Sequence, residues 1–308
     1  MTDDFPEMPD FDPKRTRRSV RRGLARTTSS VLTVLLALAL VATHGSALVQ
    51  QRGDRERRMM DVLGTAFKLY NPAYQVTVGA CCETTPVSMS FEVGASPTRA
   101  IGGFWPGGGD TYRITQDFFG RVSGHLPLGH TANTRLSLAL FGMGGSLAPK
   151  EQVRKVLGRL PERLNTLAAV EFAAPLDEAG LIGFLKEART CPDKVVYERR
   201  TGSLPIVWGD TFWSPPLAEG EEDTFGERAC GEQLADFRAW VGLLREHDDA
   251  NLRSFDLSLA RLRKAAGDGL AYGYVDQLSS VAELRKLIED PRVRTIRLAD
   301  VTFDLDRP

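Results

Sequence analysis

Between Thr27 and Gln51 the chain carries no charged residue. The centre of this run, Val31–Val49, holds ten Leu or Val residues, and roughly 20 residues cross the hydrocarbon of a bilayer as a helix. At about −0.3 to −0.6 kcal/mol each near a helix centre, those ten contribute roughly −3 to −6 kcal/mol towards insertion. That offsets Thr33, Thr43, His44 and Ser46, the last three near the C-terminal end of the run. A helix of this length in a soluble core shows a polar face, and this run has none. The sequence predicts one transmembrane helix over 27–51, with His44 as an interfacial side chain rather than a proton relay.

The flanks set an orientation. Seven Lys/Arg are packed into Lys14–Arg26, against Arg52, Arg55, Arg57 and Arg58 on the far side. The positive-inside bias puts the N-terminal tail in the cytoplasm and everything after the span outside the cell membrane. Gly45-Ser46-Ala47 offers a small-x-small cleavage site, and "TRRSVRR" is similar to a twin-arginine signal. The run is longer than the roughly 7–15 apolar residues of a signal peptide, so an uncleaved, single-pass anchor is expected.

The rest is globular in composition: 42% hydrophobic and 26% charged over 308 residues, with net charge −1. That balance gives no reason to expect direct nucleic-acid binding. Met59, Val62, Leu63, Ala66, Phe67 and Tyr70 recur at helical spacing, so a juxtamembrane helix is expected over 52–71, ended by Asn71-Pro72. "YQVTVGA", "VSMSFEV", "DTYRITQDF" and "TRLSLALFG" read as short strands between Pro and Gly clusters, a β-rich segment over 72–147 that closes on a "GMGGSLAP" linker.

From 148 to 308 the rhythm changes. "LAAVEFAA" reads as a strand, Asp177 opens a helix to Ala188, and "KVVYERR" is a strand. Later "LAYGYVDQ" is a strand, "SVAELRKLIED" a helix capped near Ser280, and "RVRTIRLADVTF" a strand. Two β-α-β units point to a ferredoxin-like split βαβ domain of α+β class. A helical insertion separates them, striped by Phe237, Trp240, Val241 and Leu244, then by Leu252, Phe255, Leu259, Leu262 and Ala266.

Chemistry is sparse. Cys81, Cys82, Cys191 and Cys230 fall outside the membrane in this orientation, where an even count suggests disulfides of undetermined connectivity. Linking Cys191 to Cys230 would close a loop of about 40 residues and stabilise by roughly 3.5–4 kcal/mol. No C-x-x-C occurs, and His125 and His130 sit in a Gly/Pro-rich stretch, so no metal is expected. "IGGFWPGGGDTYR" lacks the G-K-[ST] of a phosphate loop. Its Phe104 and Trp105 are a candidate surface loop for a glycan or the membrane. Asp300, Asp304 and Asp306 alternate at the chain end as solvated carboxylates. With no G-x-S-x-G or H-E-x-x-H, an enzyme is not expected and no cofactor is implied.

"ERRMMDVLGTAFKLYNPAYQVTVG", directly after the span, resembles the N-terminal module of the sigma factor regulator family. "RLPERLNTLAAVEFAAPLDEAGLIGFLKEA" and "YGYVDQLSSVAELRKLIEDPRVRTIRLADVTF" are similar to the opening and close of its C-terminal module. The resemblance implies a membrane-anchored anti-sigma-type regulator whose partner is a sigma factor or another envelope protein. One departure matters: residues 1–26 contain no Cys or His and cannot bury a core. Binding by this tail would be as a peptide, with Phe5, Met8 and Phe11 its apolar anchors, among prolines that disfavour a regular helix. The rival reading is a cell-envelope binding or scaffold module without a transcriptional role.

Overall fold

The computed structural model describes residues 13–51, 54–79, 82–100, 109–123, 134–145, 149–200, 202–209 and 232–303. Helix α1 (Pro13–Gln51) includes both the basic segment and the uncharged run. Among the described residues it is the one helix long and apolar enough to cross a membrane, and none of its apolar window is buried against the rest of the chain.

The helix expected over 52–71 as juxtamembrane forms in three pieces: α2 (Arg55–Met59), a π turn (Met60–Gly64) and α3 (Thr65–Tyr70). A π turn carries one residue more than an α turn and so rotates the next helical segment about the axis. Leu69 is consequently fully buried, while Tyr70 is only half-buried and meets Phe255 edge-on at 6.2 Å. The expected Asn71-Pro72 stop holds, since α3 ends at Tyr70.

A first antiparallel sheet comes next, built from β1 (Tyr74–Val78), β2 (Glu83–Thr84), β3 (Ser88–Pro97), β4 (Asp110–Asp117) and β5 (Val122–Ser123). β3 is central, paired by β1 and β2 along one edge and by β4 along the other. Alternate residues Met89, Phe91 and Val93 are buried, with Ile114 opposite Phe91, the period of a half-buried strand. This apolar face joins the core of the juxtamembrane helix, where Phe67 and Tyr112 rings lie 6.0 Å apart.

Thr134–Gly142 is a helix rather than the expected strand. In α4 (Arg135–Phe141) the Thr134 hydroxyl accepts from the Ser137 amide while the Ser137 hydroxyl accepts from the Thr134 amide. This reciprocal cap satisfies two amides that a helix otherwise leaves unpaired. Gly142–Gly145, read as linker, is a turn that packs against the second sheet, and α5 (Lys150–Gly158) precedes the first strand of that sheet.

That sheet has the order β10-β6-β9-β7-β8, with all neighbours antiparallel. Its strands are β6 (Asn165–Leu176), β7 (Lys194–Val196), β8 (Val207–Gly209), β9 (Ala271–Asp276) and β10 (Val293–Thr302). α6 (Glu178–Ala188) connects β6 to β7, and α10 (Val281–Leu287) connects β9 to β10, capped by Asp177 and Ser280 respectively. β6 is buried without interruption from Thr166 to Phe172 because both its faces are covered. Ala168, Val170 and Phe172 pack with Phe184 of α6 and Leu284 of α10. Leu167 and Ala169 pack with Leu136, Leu140 and Met143 on the α4 side. Gly273, directly opposite Glu171, permits this layer: a Cβ there would meet the Val170 carbonyl oxygen at 2.2 Å.

Between β8 and β9 lie α7 (Gln233–Leu243) and α9 (Leu259–Asp268), joined by two 3-10 turns and the single-turn helix α8 (Asp249–Leu252). Tyr197 stacks on Phe237 at 5.3 Å, and Trp208 lies 5.6 Å from Trp240. The insertion also grips the juxtamembrane helix. Trp240 Nε1 donates to the Asp61 carbonyl within the π turn at 2.9 Å, and Arg58 reaches Asp248 at 2.6 Å. The overall class is α+β, as the sequence indicates.

Candidate functional site

A cleft of about 310 Å³ lies between the end of the juxtamembrane helix with β1 on one side and β7–β9 on the other. Lys68, Leu69 and Pro72 form its floor, and Tyr74–Thr77 line it along β1. Among the described residues β1 pairs with β3 alone and β8 with β7 alone, so each is the outer described strand of its sheet. An outer strand offers unpaired backbone N–H and C=O groups along its open edge.

Lys194, at the start of β7, fixes the width of the cleft. Its ammonium donates to the carbonyls of Pro72 at 2.7 Å and Tyr74 at 3.4 Å, tying the turn before β1 to the second sheet. Gly209 lies opposite Lys194, where a Cβ would meet the Asp193 carbonyl oxygen at 2.4 Å. Only glycine tolerates that approach.

Among the described residues, two polar side chains of the cleft carry a buried atom without a hydrogen-bond partner: Asp193 through Oδ2 and Thr98 through Oγ1. Burial raises the pKa of the Asp193 carboxyl, with neighbouring Asp276 adding to the rise, while Gln277 and Lys194 oppose it. Asp276 itself is fully engaged, taking the hydroxyls of Thr190 and Ser279 and the amides of Leu278 and Ser279. An acceptor, a hydroxyl and an open strand edge together match the backbone of an extended segment, which supplies N–H and C=O groups at a two-residue repeat.

Desolvation of Asp193 has a testable sign. A carboxyl whose folded pKa lies above its unfolded value favours the fold in acid and costs stability once the pH rises through that pKa. Asp193→Asn is expected to melt at a higher temperature than the parent at pH 7. The gain should shrink towards zero as the pH falls below about 3.9, the ordinary aspartate value. Melting curves of both proteins across pH check this; a gain that persists unchanged in acid would contradict it.

The residues singled out from sequence are not the ones brought together here. Cys82 and Cys191 are each disulfide-bonded, and no described cysteine is free. Cys81, Cys230, Phe5, Met8, Phe11, Phe104 and Trp105 lie outside the described residues, as do His125, His130, Asp304 and Asp306. Asp300 is paired with Arg99 at 3.4 Å. Among the described residues no group of three or more His, Cys, Asp or Glu is placed to hold a metal ion. Asp193, Thr98 and Lys194 carry no sequence signal of their role. The "CPDK" before a strand is the one local hint, and it reads equally well as an ordinary turn.

No protein-family model matches the chain, and neither a curated protein nor a solved structure matches it.

Proposed function

We propose that this protein is a single-pass, membrane-anchored regulator of the anti-sigma type. The span holds the two-sheet domain outside the cell, and the domain receives an extended segment of an envelope partner in the cleft beside β1. The observation that carries this reading is continuity. One helical element, Arg55–Tyr70, starts just beyond the apolar helix and ends as the floor of the cleft. Occupancy of the cleft therefore bears directly on the element that meets the span. The order of β10, β6, β9 and β7 around crossover helices α6 and α10 supports reading the second sheet as a ferredoxin-like split βαβ unit. The basic segment ahead of the apolar run supports a cytoplasmic tail, where Phe5, Met8 and Phe11 would engage a sigma factor as a short peptide.

The test is co-purification of the full-length protein against a variant lacking residues 1–13, with the arginines and span intact. Mass spectrometry should find a sigma factor with the first and not the second. Retention by both forms would move the contact to an intermediary protein. A sigma factor found with neither would sink the transcriptional role and leave an envelope binding module.

A further inference from the structure

Two tight turns of the first sheet stand beside the outer end of α1, and each presents apolar side chains to the outside. Ser46, near that end, donates its hydroxyl to the Pro86 carbonyl in the β2–β3 turn. Val87, next in sequence, is 69% exposed. Its carbonyl accepts from the Phe118 amide at 2.8 Å, so the β4–β5 turn lies directly alongside. There Phe118 is 38% and Phe119 82% exposed, with their rings edge-to-face at 5.7 Å.

These turns are held rigidly. The Thr85 hydroxyl accepts from the amides of Val87 and Ser88. In the second turn the Gly120 carbonyl accepts from Gln116 and Asn251 at 2.6 and 2.7 Å, Asp117 accepts from the Arg121 amide, and Gly120 has φ +83°. A turn braced by three such hydrogen bonds that displays two phenyl rings to water is costly in apolar exposure. Against a membrane interface, the same display is favourable.

Behind Phe119 opens a groove of about 450 Å³, separate from the cleft and at the opposite end of the juxtamembrane helix. Arg55, Arg121 and Arg245 line it. None of the three forms an ion pair with a described carboxylate, whereas the groove's one acid, Asp248, is already taken by Arg58 at 2.6 Å. Arg55 donates to the Phe118 carbonyl at 3.3 Å, which ties the guanidinium to the turn that carries the rings. Positive charge beside the Phe119 ring, level with the end of a bilayer-length helix, is complementary to a phospholipid: phosphate inward, glycerol and chains towards Phe119.

We propose that this groove docks the anionic headgroup of an outer-leaflet phospholipid, with Phe119 and Val87 entering the bilayer interface. The inference rests on α1 being a membrane span. Docking pins the domain to the bilayer at a second point besides the anchor. Each basic residue near an anionic surface favours association by about fivefold, so Arg121 and Arg245 together account for about a 25-fold shift towards the docked state.

The full-length protein would be reconstituted into vesicles with an environment-sensitive fluorophore at Phe119→Cys or, separately, at Leu38→Cys in the middle of the uncharged run of α1. Spin-labelled lipids then report depth by quenching. Both positions should be quenched. Quenching at 119 should be stronger in phosphatidylglycerol-containing vesicles than in purely phosphatidylcholine ones, and this increment should vanish in an Arg121→Ala/Arg245→Ala background. Quenching at 38 without quenching at 119 would overturn docking and leave the anchor standing. No quenching at 38 would overturn the membrane reading and the proposal with it. Equal quenching at 119 in both lipids would overturn the headgroup site. Loss of the increment on adding inorganic phosphate at constant ionic strength would reassign the groove to a soluble anion.

Discussion

Replacing Trp240 with alanine is expected to destabilise the folded domain by about 3–5 kcal/mol, the usual cost of emptying a large aromatic site in a core. The side chain is fully buried, touches Trp208, and closes the insertion over the juxtamembrane helix. Its indole N–H also meets the Asp61 carbonyl in the π turn, where the regular ladder is interrupted. For a domain of this size the melting temperature should fall by roughly 6–20 °C. Trp240→Phe separates the two contributions. It keeps most of the ring but leaves the carbonyl without its donor, and is expected to cost about 1–2 kcal/mol. Thermal melts of both variants in detergent check this. A phenylalanine variant as unstable as the alanine one would mean that the hydrogen bond, not the packing, dominates.

Glu171→Ala is the second large effect, expected at about 3 kcal/mol. The carboxylate is completely buried on the α4 side of β6, facing the Gly142–Gly145 turn. Its Oε1 accepts from Arg294 at 2.9 Å and from the Gly144 amide at 3.2 Å, while Arg199 and Arg297 stand 3.7 and 3.9 Å away. Removal leaves three guanidinium groups converging on a void. Loss of one partner of a buried pair costs about 3–5 kcal/mol, and the lower end applies because these arginines retain partial access to water. Arg294→Met should cost less, about 1–2 kcal/mol, because two cations remain near the carboxylate. Denaturant melts of the two single variants and the double variant would show a coupling of at least about 0.5 kcal/mol; strict additivity would sink the account.

The long-range frame was legible where local signals agreed. β6 is apolar from Leu167 to Ala174 but for Glu171, α6 and α10 begin at Asp177 and Ser280 side chains that cap them, and β10 comes after a proline turn. Those positions carry both the pattern and the stop signals, which is why the order of elements in the second sheet's unit could be read. α4 could not. Leu136, Leu138 and Leu140 alternate as in a strand, and only the Thr134–Ser137 cap shows that the segment is helical. Leu138 is exposed, an outlier in either pattern.

The cleft was illegible for a different reason. Lys68, Thr98, Asp193 and Gln277 are strangers in sequence, and what joins them is the Lys194 ammonium on the Pro72 carbonyl. Nothing local marks a lysine that will span two sheets. The π turn was equally hidden, since Met60–Gly64 fits an ordinary helical stripe until packing on two sides requires an extra residue.

That doubly packed helix also acts as a spacer of fixed length. Its 16 residues from Arg55 to Tyr70 rise about 1.5 Å each, which places the cleft no more than about 24 Å beyond the first turn of the helix. Sheet on one flank and insertion on the other leave it no freedom to stretch or fold back. With α1 as the proposed span, a partner anchored in the same bilayer would need only a short extended tether, about seven residues at roughly 3.4 Å each, to present a segment to the cleft. On that reading the helix would select among neighbours by the length of the leash between their own anchor and the strand they offer.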